Sequence, residues 1–247
     1  YALGAIKNIG ESSIKKLVDN RNQKGIFTSL INLLKRLDNS ILNKRQLESL
    51  VYSGALESIE KNTHFLETNM KEILKLNVSF HENKNMLQKT LFESESFDFE
   101  ITKKNIKNWD VFTKLKKEHE AIGFYLTNHP LEYYKEFIND QEFNSIGSIK
   151  HELSLEKNTK SFFSTIAVVN DVTKRKSRQS KAYAFYNISD DQNEVDVICF
   201  EEVLNKINQE PMVGDVCKLS LEVIKNQEQH RLVLSDIQII DIGKNLK

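Results

Sequence analysis

The stretch FFSTIAVVNDVTKRKSRQSKAYAFYNISDDQNEVDVICF, residues 162–200, decides the fold of the second half of this 247-residue chain. It contains three runs in which inward and outward positions alternate with a period of two, rich in the β-branched and aromatic residues that favour strands. These runs are Phe162–Val172, Ala182–Ile188 and Val195–Phe200, and Asp190–Asn193 forms the turn between the last two. The pattern predicts three consecutive β-strands.

Two further runs of the same kind follow, Val216–Ile224 and Leu232–Ile240. One helical segment, Glu201–Gln209, separates the third strand from the fourth, and Pro211–Gly214 leads into the fourth strand. Five strands with a helix between the third and the fourth is the order of an OB-fold, a partly open barrel whose loops flank a nucleic-acid groove. We therefore predict a five-stranded OB-fold β-barrel over residues 160–243.

Composition excludes several classes of protein. The 35 basic and 35 acidic residues give no net charge, so affinity for nucleic acid or a membrane has to come from a local asymmetry. Eight glycines and two prolines are too few for a collagen-like or low-complexity chain, and no apolar run is long enough to span a bilayer. The two cysteines, Cys199 and Cys217, lie in apolar alternating runs, as buried thiols of a reducing compartment do. We expect a cytoplasmic protein.

The first part of the chain has a helical period instead. Short helices are predicted around Ile14–Val18, ending at Gly25, and after a cap at Thr28 or Ser29. Asn43 and Gln46 have capping-box spacing at the start of a third helix, which ends at Ser53-Gly54. Residues 61–77 form one longer amphipathic helix in this prediction. The region 1–77 is accordingly expected to be all-α.

Two segments connect this region to the barrel. Residues 78–108 are polar with apolar islands, which predicts a solvated linker. Residues 109–150 regain helical periodicity and are predicted to form a helical connector, interrupted at Asn128-His129-Pro130 because proline disfavours helix in the residue before it. The expected fold class is α+β with several domains.

A candidate single-strand site lies between the first and second strands. Five cations are predicted in the loop that borders the OB-fold groove: Lys174, Arg175, Lys176, Arg178 and Lys181. If Ala184, Tyr186 and Ile188 fill the barrel, strand alternation places Tyr183 and Phe185 on the groove face, where aromatic rings stack nucleobases. The alternative is that the loop is a solvated hairpin and that Tyr183 and Phe185 pack against the helical part of the chain.

A candidate duplex site lies at the N-terminus. The turn Ile6–Gly10 before a helix resembles the hairpin of a helix-hairpin-helix element, which binds the duplex backbone through helix N-terminal N–H groups. Its predicted contact residues are Lys7, Asn8, Ile9, Gly10, Lys15 and Lys16. Asn8 replaces the usual first glycine and tolerates left-handed backbone geometry. The alternative is a plain connection between helices.

The chain offers little for catalysis. Its six histidines show no metal-ligand spacing, and no phosphate-binding glycine motif is present. His119, between two glutamates, is expected to be solvated, and His129 to make a structural hydrogen bond. Capping and turn formation account for the acidic pairs at 190–191 and 201–202. We predict no catalytic and no metal-binding residues in this chain.

Longer strings resemble one family. EHEAIGFYLTNHPL at 118–131, LGAIKNIGESSIKKLVDNR at 3–21, LNKRQLESLVYSGALE at 42–57 and ISDDQNEVDVICFEEV at 188–203 resemble the alpha subunit of bacterial DNA polymerase III, in that family's order. The sequence departs from the family pattern at His119, usually basic, and at Asn128 and Asn193, usually glycine.

The resemblance implies a replicative polymerase whose metal-binding palm carboxylates lie upstream of Tyr1. On this basis the chain is a non-catalytic segment with no cofactor of its own, and Mg²⁺ belongs to the absent catalytic domain. The implied partners are duplex DNA, single-stranded template, the sliding clamp (the beta subunit) and, through absent regions, other replicase subunits. The implied location is the bacterial cytoplasm, associated with the nucleoid, with no membrane partner.

The resemblance also implies a clamp-binding motif in the linker, at Gln88-Lys89-Thr90-Leu91-Phe92. Its contact residues would be Gln88, Leu91 and Phe92, since a peptide gains specific affinity from a few anchors. The alternative is that Leu87 and Leu91 form one turn of a core helix.

Two other functions remain open from the residues. One is a stand-alone DNA repair or recombination protein built from helix-hairpin-helix and OB-fold modules, which would bind junctions without clamp affinity. The other is an OB-fold that binds tRNA, which would prefer RNA to single-stranded DNA.

Overall fold

The computed structural model describes residues 3–82, 106–139, 143–154, 161–226 and 229–240. The chain divides into two compact units, Tyr1–Leu126 and Thr127–Lys247. The first unit is helical and the second contains a five-stranded barrel, as predicted, and the barrel is closed. The segment 109–150 is shared between them: one helix belongs to the first unit and the remaining helical turns to the second.

The first unit contains one 3₁₀ turn and six helices among its described residues. They are the turn Leu3–Ala5, α1 Glu11–Lys24, α2 Leu30–Arg36, α3 Lys44–Tyr52, α4 Thr63–Thr68, α5 Met70–Glu82 and α6 Val111–Ile122. Leucine side chains from several of these helices make up much of the buried core, and the side chains of Leu34, Leu37, Leu47 and Leu66 are fully buried. Each helix is short, so packing against its neighbours supplies most of its stability.

Three predicted helix boundaries in the first unit are confirmed. Gly25 follows α1 with φ +79°, and the Ser29 hydroxyl accepts a hydrogen bond from Asn32 N–H at the start of α2. At α3 the Asn43 side chain accepts from Gln46 N–H at 3.1 Å, and the Gln46 side chain accepts from Asn43 N–H at 3.0 Å. These reciprocal bonds complete the predicted capping box.

One helix prediction is wrong. The predicted single helix over residues 61–77 is two helices, α4 and α5, because Asn69 interrupts the run at φ −101°, ψ 16°. α5 also continues to Glu82, so the first five residues of the predicted linker 78–108 are helical. The Asn69 side-chain amide donates to the Phe65 carbonyl at 2.8 Å, while the Asn69 carbonyl accepts from Ile73 N–H as α5 begins. A short amide side chain competes with the backbone for hydrogen bonds. For this reason α4 ends at Thr68 and α5 starts at Met70, on either side of Asn69.

The second unit begins with helical turns and continues into the barrel. Its elements are a 3₁₀ turn at Pro130–Tyr134, α7 Lys135–Asn139, α8 Ile146–Ser154, β1 Phe162–Lys176, β2 Ala182–Ser189, β3 Glu194–Phe200, α9 Glu201–Leu204, β4 Val216–Asn226 and β5 Gln229–Ile239. The strands close in the order β1-β2-β3-β5-β4. Only the β3–β5 pair is parallel among the described strands. This order confirms the OB-fold.

Two boundaries in the barrel differ from prediction. β1 runs four residues past Val172, since Lys174 and Lys176 pair with Ala184 and Ala182 of β2. The helix after β3 is α9 alone, and the chain then tightens into i−3 hydrogen bonds, such as Ile207 N–H to the Leu204 carbonyl. Such bonds belong to a 3₁₀ turn and stop the helix from extending to Gln209.

The barrel interior matches the predicted alternation in β2. Ala184, Tyr186 and Ile188 are fully buried, as are Cys199 and Cys217. Burial raises the pKa of Cys199 to about 11 and that of Cys217 to about 12, so both thiols stay protonated near neutral pH. The cysteines therefore act as small apolar core residues.

Candidate nucleic-acid interface

The outer face of β2 and β3 forms an open groove of about 520 Å³. Two pairs of residues lie opposite each other in the strand register, Tyr183 with Phe200 and Phe185 with Ile198. All four line the groove. Strand alternation is the reason, because the residues between them point into the barrel.

The aromatic rings leave surface accessible on this face. Tyr183 and Phe185 meet edge to face, with ring centres 5.6 Å apart at 77°. Phe200 is 48% exposed. Exposed ring faces in a groove are what nucleobases stack on, at about 1–3 kcal/mol per base in single-strand binding proteins.

Charged side chains border these rings. The Arg175 guanidinium lies 5.8 Å from the Phe185 ring centre, and Lys181 and Arg231 also line the groove. Glu201 and Glu202 supply acidic groups on the lining, and the Glu201 carboxylate accepts a hydrogen bond from Ala182 N–H at 3.0 Å. The groove thus offers cations for a phosphate backbone and acceptors for base amino groups.

The structure separates the cations that the sequence analysis placed in one loop. Lys174, Arg175 and Lys176 belong to β1, where alternation turns only Arg175 towards the groove. Lys174 lies on the other face and pairs with Glu210 at 2.5 Å. Arg178 and Lys181 are exposed in the connection from β1 to β2, and Lys181 lines the groove.

Among the groove residues that were not predicted are Ile198, Phe200 and Arg231. Alternation along β3 could have assigned Ile198 and Phe200 to the outer face. They share that face with Asp196, whereas Val197 and Cys199 are buried on the other. Arg231 has no comparable local signal. It lines the groove because β5 pairs with β3, Ile198 lying opposite Val233.

The N-terminal hairpin adopts the backbone predicted for it. Asn8 has φ +64°, in the left-handed region, and Gly10 caps α1 in an extended conformation. Lys7 N–H donates to the Ala121 carbonyl at 2.8 Å, which fixes the turn on the C-terminal end of α6. No side chain caps the first turn of α1 in the described structure. The N–H groups of Ser13 and Ile14 donate to the Gly10 carbonyl, which leaves those of Glu11 and Ser12 available to an anion.

The hairpin lysines are exposed. Lys15 and Lys16 lie on α1, and the Lys7 side chain lies against the turn at Gly123, where an added Cβ would be 3.2 Å from Lys7 Nζ. Ile9 is half-buried in the helical core, while Asn8 and Gly10 are exposed. The contact between Lys7 and Gly123 was not predicted, because it joins residues far apart in sequence.

Of the two histidine predictions, the structure confirms the one for His129 and contradicts the one for His119. His129 makes the expected structural bonds, since Nδ1 accepts from Leu131 N–H at 3.3 Å and Nε2 lies 3.0 Å from Ser189 Oγ. His119 is half-buried rather than solvated, because its ring packs 4.7 Å from that of Tyr125.

Among the residues that the structure describes, no three His, Cys, Asp or Glu side chains come together as metal ligands. None of the helices in that part of the chain is both long enough and apolar enough to cross a membrane. The proposed clamp-binding residues Gln88, Leu91 and Phe92 lie outside the described residues.

Comparison with known proteins identifies relatives for nearly the whole chain. Residues 1–66 match the helix-hairpin-helix motif family. The chain is 29% identical to DNA polymerase III subunit alpha of Buchnera aphidicola subsp. Schizaphis graminum over 213 residues, which is 83% of this chain and 18% of that protein. It is 26% identical to the subunit of Borreliella burgdorferi over 249 residues, 98% of this chain and 21% of that protein.

A third relative, the alpha subunit of Caulobacter vibrioides, is 30% identical over 206 residues, 83% of this chain and 18% of that protein. Among solved structures, the mitochondrial single-stranded DNA-binding protein Rim1 of S. cerevisiae is 19% identical, with 34% of this chain and 97% of that chain covered and a TM-score of 0.29. The fold assignment rests on the strand order above. The chain spans about a fifth of the length of the curated relatives that it matches, and it belongs to the DNA polymerase III alpha subunit family.

Proposed function

We propose that this chain is the non-catalytic, DNA-handling segment of a replicative DNA polymerase. In this proposal the OB-fold groove holds single-stranded template and the N-terminal hairpin holds the duplex backbone. The observation that carries it is the aromatic groove on β2 and β3, with Arg175 over Phe185 and Lys181 on the lining.

The groove supports single-strand binding through three kinds of contact. Tyr183, Phe185 and Phe200 offer ring faces to successive bases. Arg175 and Lys181 offer positive charge to the phosphates. Stacking tolerates any base, so the expected binding has little sequence preference, which suits a template strand that moves through the site.

The hairpin supports duplex binding by a different mechanism. The free N–H groups at the start of α1 and the exposed Lys15 and Lys16 are suited to a phosphate, which carries no sequence information. Glu11, in the same first turn, works against an anion. Contacts of this kind position a duplex without reading it.

The linker supplies a further contact in this proposal. Gln88, Leu91 and Phe92 bind the sliding clamp, the two apolar side chains filling a pocket while the amide makes a fixed hydrogen bond. Replacing the three residues by alanine is expected to abolish clamp binding in a binding assay with the organism's own clamp. Unchanged affinity of the variant would contradict the proposal that these three residues bind the clamp.

The intact polymerase, in this proposal, performs DNA-templated DNA synthesis in the cytoplasm, at the nucleoid. Its catalytic carboxylates, its Mg²⁺ and its contacts with other replicase subunits lie in regions outside this chain. The segment itself works without a cofactor.

The groove is tested by the double variant Tyr183→Ala/Phe185→Ala, measured with a fluorescent single-stranded oligonucleotide. Its affinity is expected to fall about 30-fold or more, because two stacking contacts of about 1–3 kcal/mol each are lost. Phe162→Ala is the matched control, since Phe162 is a 68% exposed aromatic residue of the same unit that does not line the groove. Equal losses in both variants would contradict the groove as the binding site.

The same assay separates the competing functions. A preference for RNA over single-stranded DNA would indicate a tRNA-binding OB-fold. Tight binding to branched junctions without affinity for the clamp would indicate a repair or recombination protein. Relatives that are polymerase alpha subunits along 83–98% of the chain weigh against both alternatives.

A further inference from the structure

A second groove lies in the helical unit, and its lining contains none of the predicted duplex-binding residues. It is open, about 430 Å³ in volume, and lies between the start of α3 and the exposed side of α5. Its floor is apolar, formed by Leu42, Leu74 and Val78. Leu42 is fully buried in the core, so the floor is continuous with the packed interior.

Three lysines surround this floor. Lys44 begins α3, and Lys71 and Lys75 lie on successive turns of α5. All three are exposed, and within the described ranges none has a carboxylate at ion-pair distance. Three like charges that remain unpaired around an apolar surface raise its positive potential.

The backbone contributes to the same potential. α3 points its N-terminus at the groove, where Asn43 and Lys44 line it, and its first turn contains no acidic residue. On α5, Glu72 is the nearest carboxylate in sequence, but it does not line the groove. The lining therefore has cations, amides and apolar groups, with no acid.

We propose that this groove docks an acidic peptide that carries apolar side chains, supplied by a partner protein. The lysines recognise the carboxylates, and the half-buried side chains of Leu74 and Val78 take the apolar side chains out of water. Charge complementarity favours this occupant over a neutral peptide. The concave apolar floor favours it over a nucleic-acid backbone, which gains nothing from contact with leucine and valine.

The proposal is tested on the full chain with two labelled peptides, Asp-Phe-Asp-Asp-Phe-Asp and Ser-Phe-Ser-Ser-Phe-Ser. The acidic peptide is expected to bind about tenfold or more tightly than the serine peptide at low salt, and to lose that advantage as salt screens the lysines. Equal binding of the two peptides, or no binding of either at about 1 mM, would overturn the proposal.

Variants locate the binding to this groove. Lys71→Ser/Lys75→Ser is expected to weaken the acidic peptide about fivefold or more, whereas Lys24→Ser/Lys116→Ser, which removes the same charge elsewhere on the unit, should change it less than about twofold. Leu74→Ala is expected to weaken both peptides, because it removes part of the floor. Equal losses in the two lysine pairs would show non-specific attraction and overturn the assignment.

Two other occupants are outcomes of the same test. The sequence between α5 and α6 contains Glu93, Glu95, Phe97, Asp98, Phe99 and Glu100. Neutralising its four acids should leave the affinity for the added peptide unchanged; a clear gain would mean that the chain's own segment is the occupant. Loss of duplex DNA affinity in the α5 lysine variant, without loss of peptide affinity, would assign the groove to DNA.

Discussion

The Arg175 guanidinium lies 5.8 Å from the centre of the Phe185 ring, on the outer face of the barrel. A cation over an aromatic ring restricts both side chains and leaves the far edge of the guanidinium free to contact phosphate. Lys174, the preceding residue, lies on the opposite face with Glu210. Adjacent cations of the same strand thus have different surroundings, and this pair provides a controlled test.

Arg175→Gln is expected to weaken single-strand binding about five- to tenfold and to reduce the slope of log affinity against log salt by about 0.7, the value for one released counterion. Lys174→Gln should change affinity less than about twofold and leave the slope unchanged, because its charge is directed away from the groove. Fluorescence anisotropy at several salt concentrations measures both quantities. Equal slopes for the two variants would contradict the assignment of Arg175, and not Lys174, to the DNA path.

Gly10→Ala is expected to separate stability from duplex binding. Gly10 has φ −68° and no atom within 4 Å of an added Cβ, so alanine fits without strain. Alanine is a poorer N-cap than glycine, but it also restricts the unfolded chain, and the two effects offset each other, so the free energy of unfolding should change by less than about 0.5 kcal/mol. The methyl group would nonetheless stand where a phosphate approaches the start of α1, and duplex affinity should fall about threefold or more. Unchanged duplex affinity, together with unchanged stability, would show that DNA does not approach this turn.

Asn8 provides a test of the hairpin backbone. Asn8→Gly should leave stability within about 0.5 kcal/mol of the wild type, because glycine adopts φ +64° without strain. Asn8→Val should cost about 1–2 kcal/mol, because a β-branched residue is strained in the left-handed region. Urea unfolding followed by Trp109 fluorescence measures this, since the only tryptophan of the chain lies in the helical unit. Equal stability of the two variants would show that the turn adopts another conformation in solution.

Glu67 links α4 to α6 and makes the helical unit sensitive to acid. Its carboxylate accepts hydrogen bonds from Lys117 at 2.8 Å and from the Tyr52 hydroxyl at 2.6 Å. Burial by itself would raise the pKa of Glu67, but these bonds from Lys117 and Tyr52 outweigh it and hold the pKa below 4.5. A lowered pKa contributes stability above about pH 4.5, and that contribution is lost as the pH falls through the folded-state value.

Glu67→Gln is therefore expected to lower the free energy of unfolding by about 1–2 kcal/mol at pH 7 and to flatten its decline between about pH 5 and pH 3. Glu72→Gln, which removes an exposed carboxylate of α5, should do neither. Urea titrations at a series of pH values, read by Trp109 fluorescence, compare the three proteins. A decline as steep in Glu67→Gln as in the wild type would assign the acid sensitivity to another carboxylate.

Much of the fold follows from short-range rules that the sequence displays directly. A strand points successive side chains to opposite faces, so the order Tyr183, Ala184, Phe185, Tyr186 already assigns two rings to the outside and one to the core. Helix caps are equally local, as Asn43 and Gln46 demonstrate. The apolar period over residues 61–77 predicts one helix, but it carries no information about side-chain hydrogen bonds. The bond from the Asn69 amide to the Phe65 carbonyl divides this run into two helices.

The OB-fold order, the helical first unit and the aromatic face of β2 follow from the sequence, because periodicity and capping act over a few residues. The length of β1 depends on strand pairing instead, since Lys174 to Lys176 become a strand by pairing with Ala182 to Ala184. The tertiary structure also assigned Arg175 to the groove and Lys174 to Glu210, and brought Phe200 and Arg231 to the same groove. These outcomes depend on which strands hydrogen-bond to each other, and that pairing joins residues too distant in the chain for any local pattern to specify.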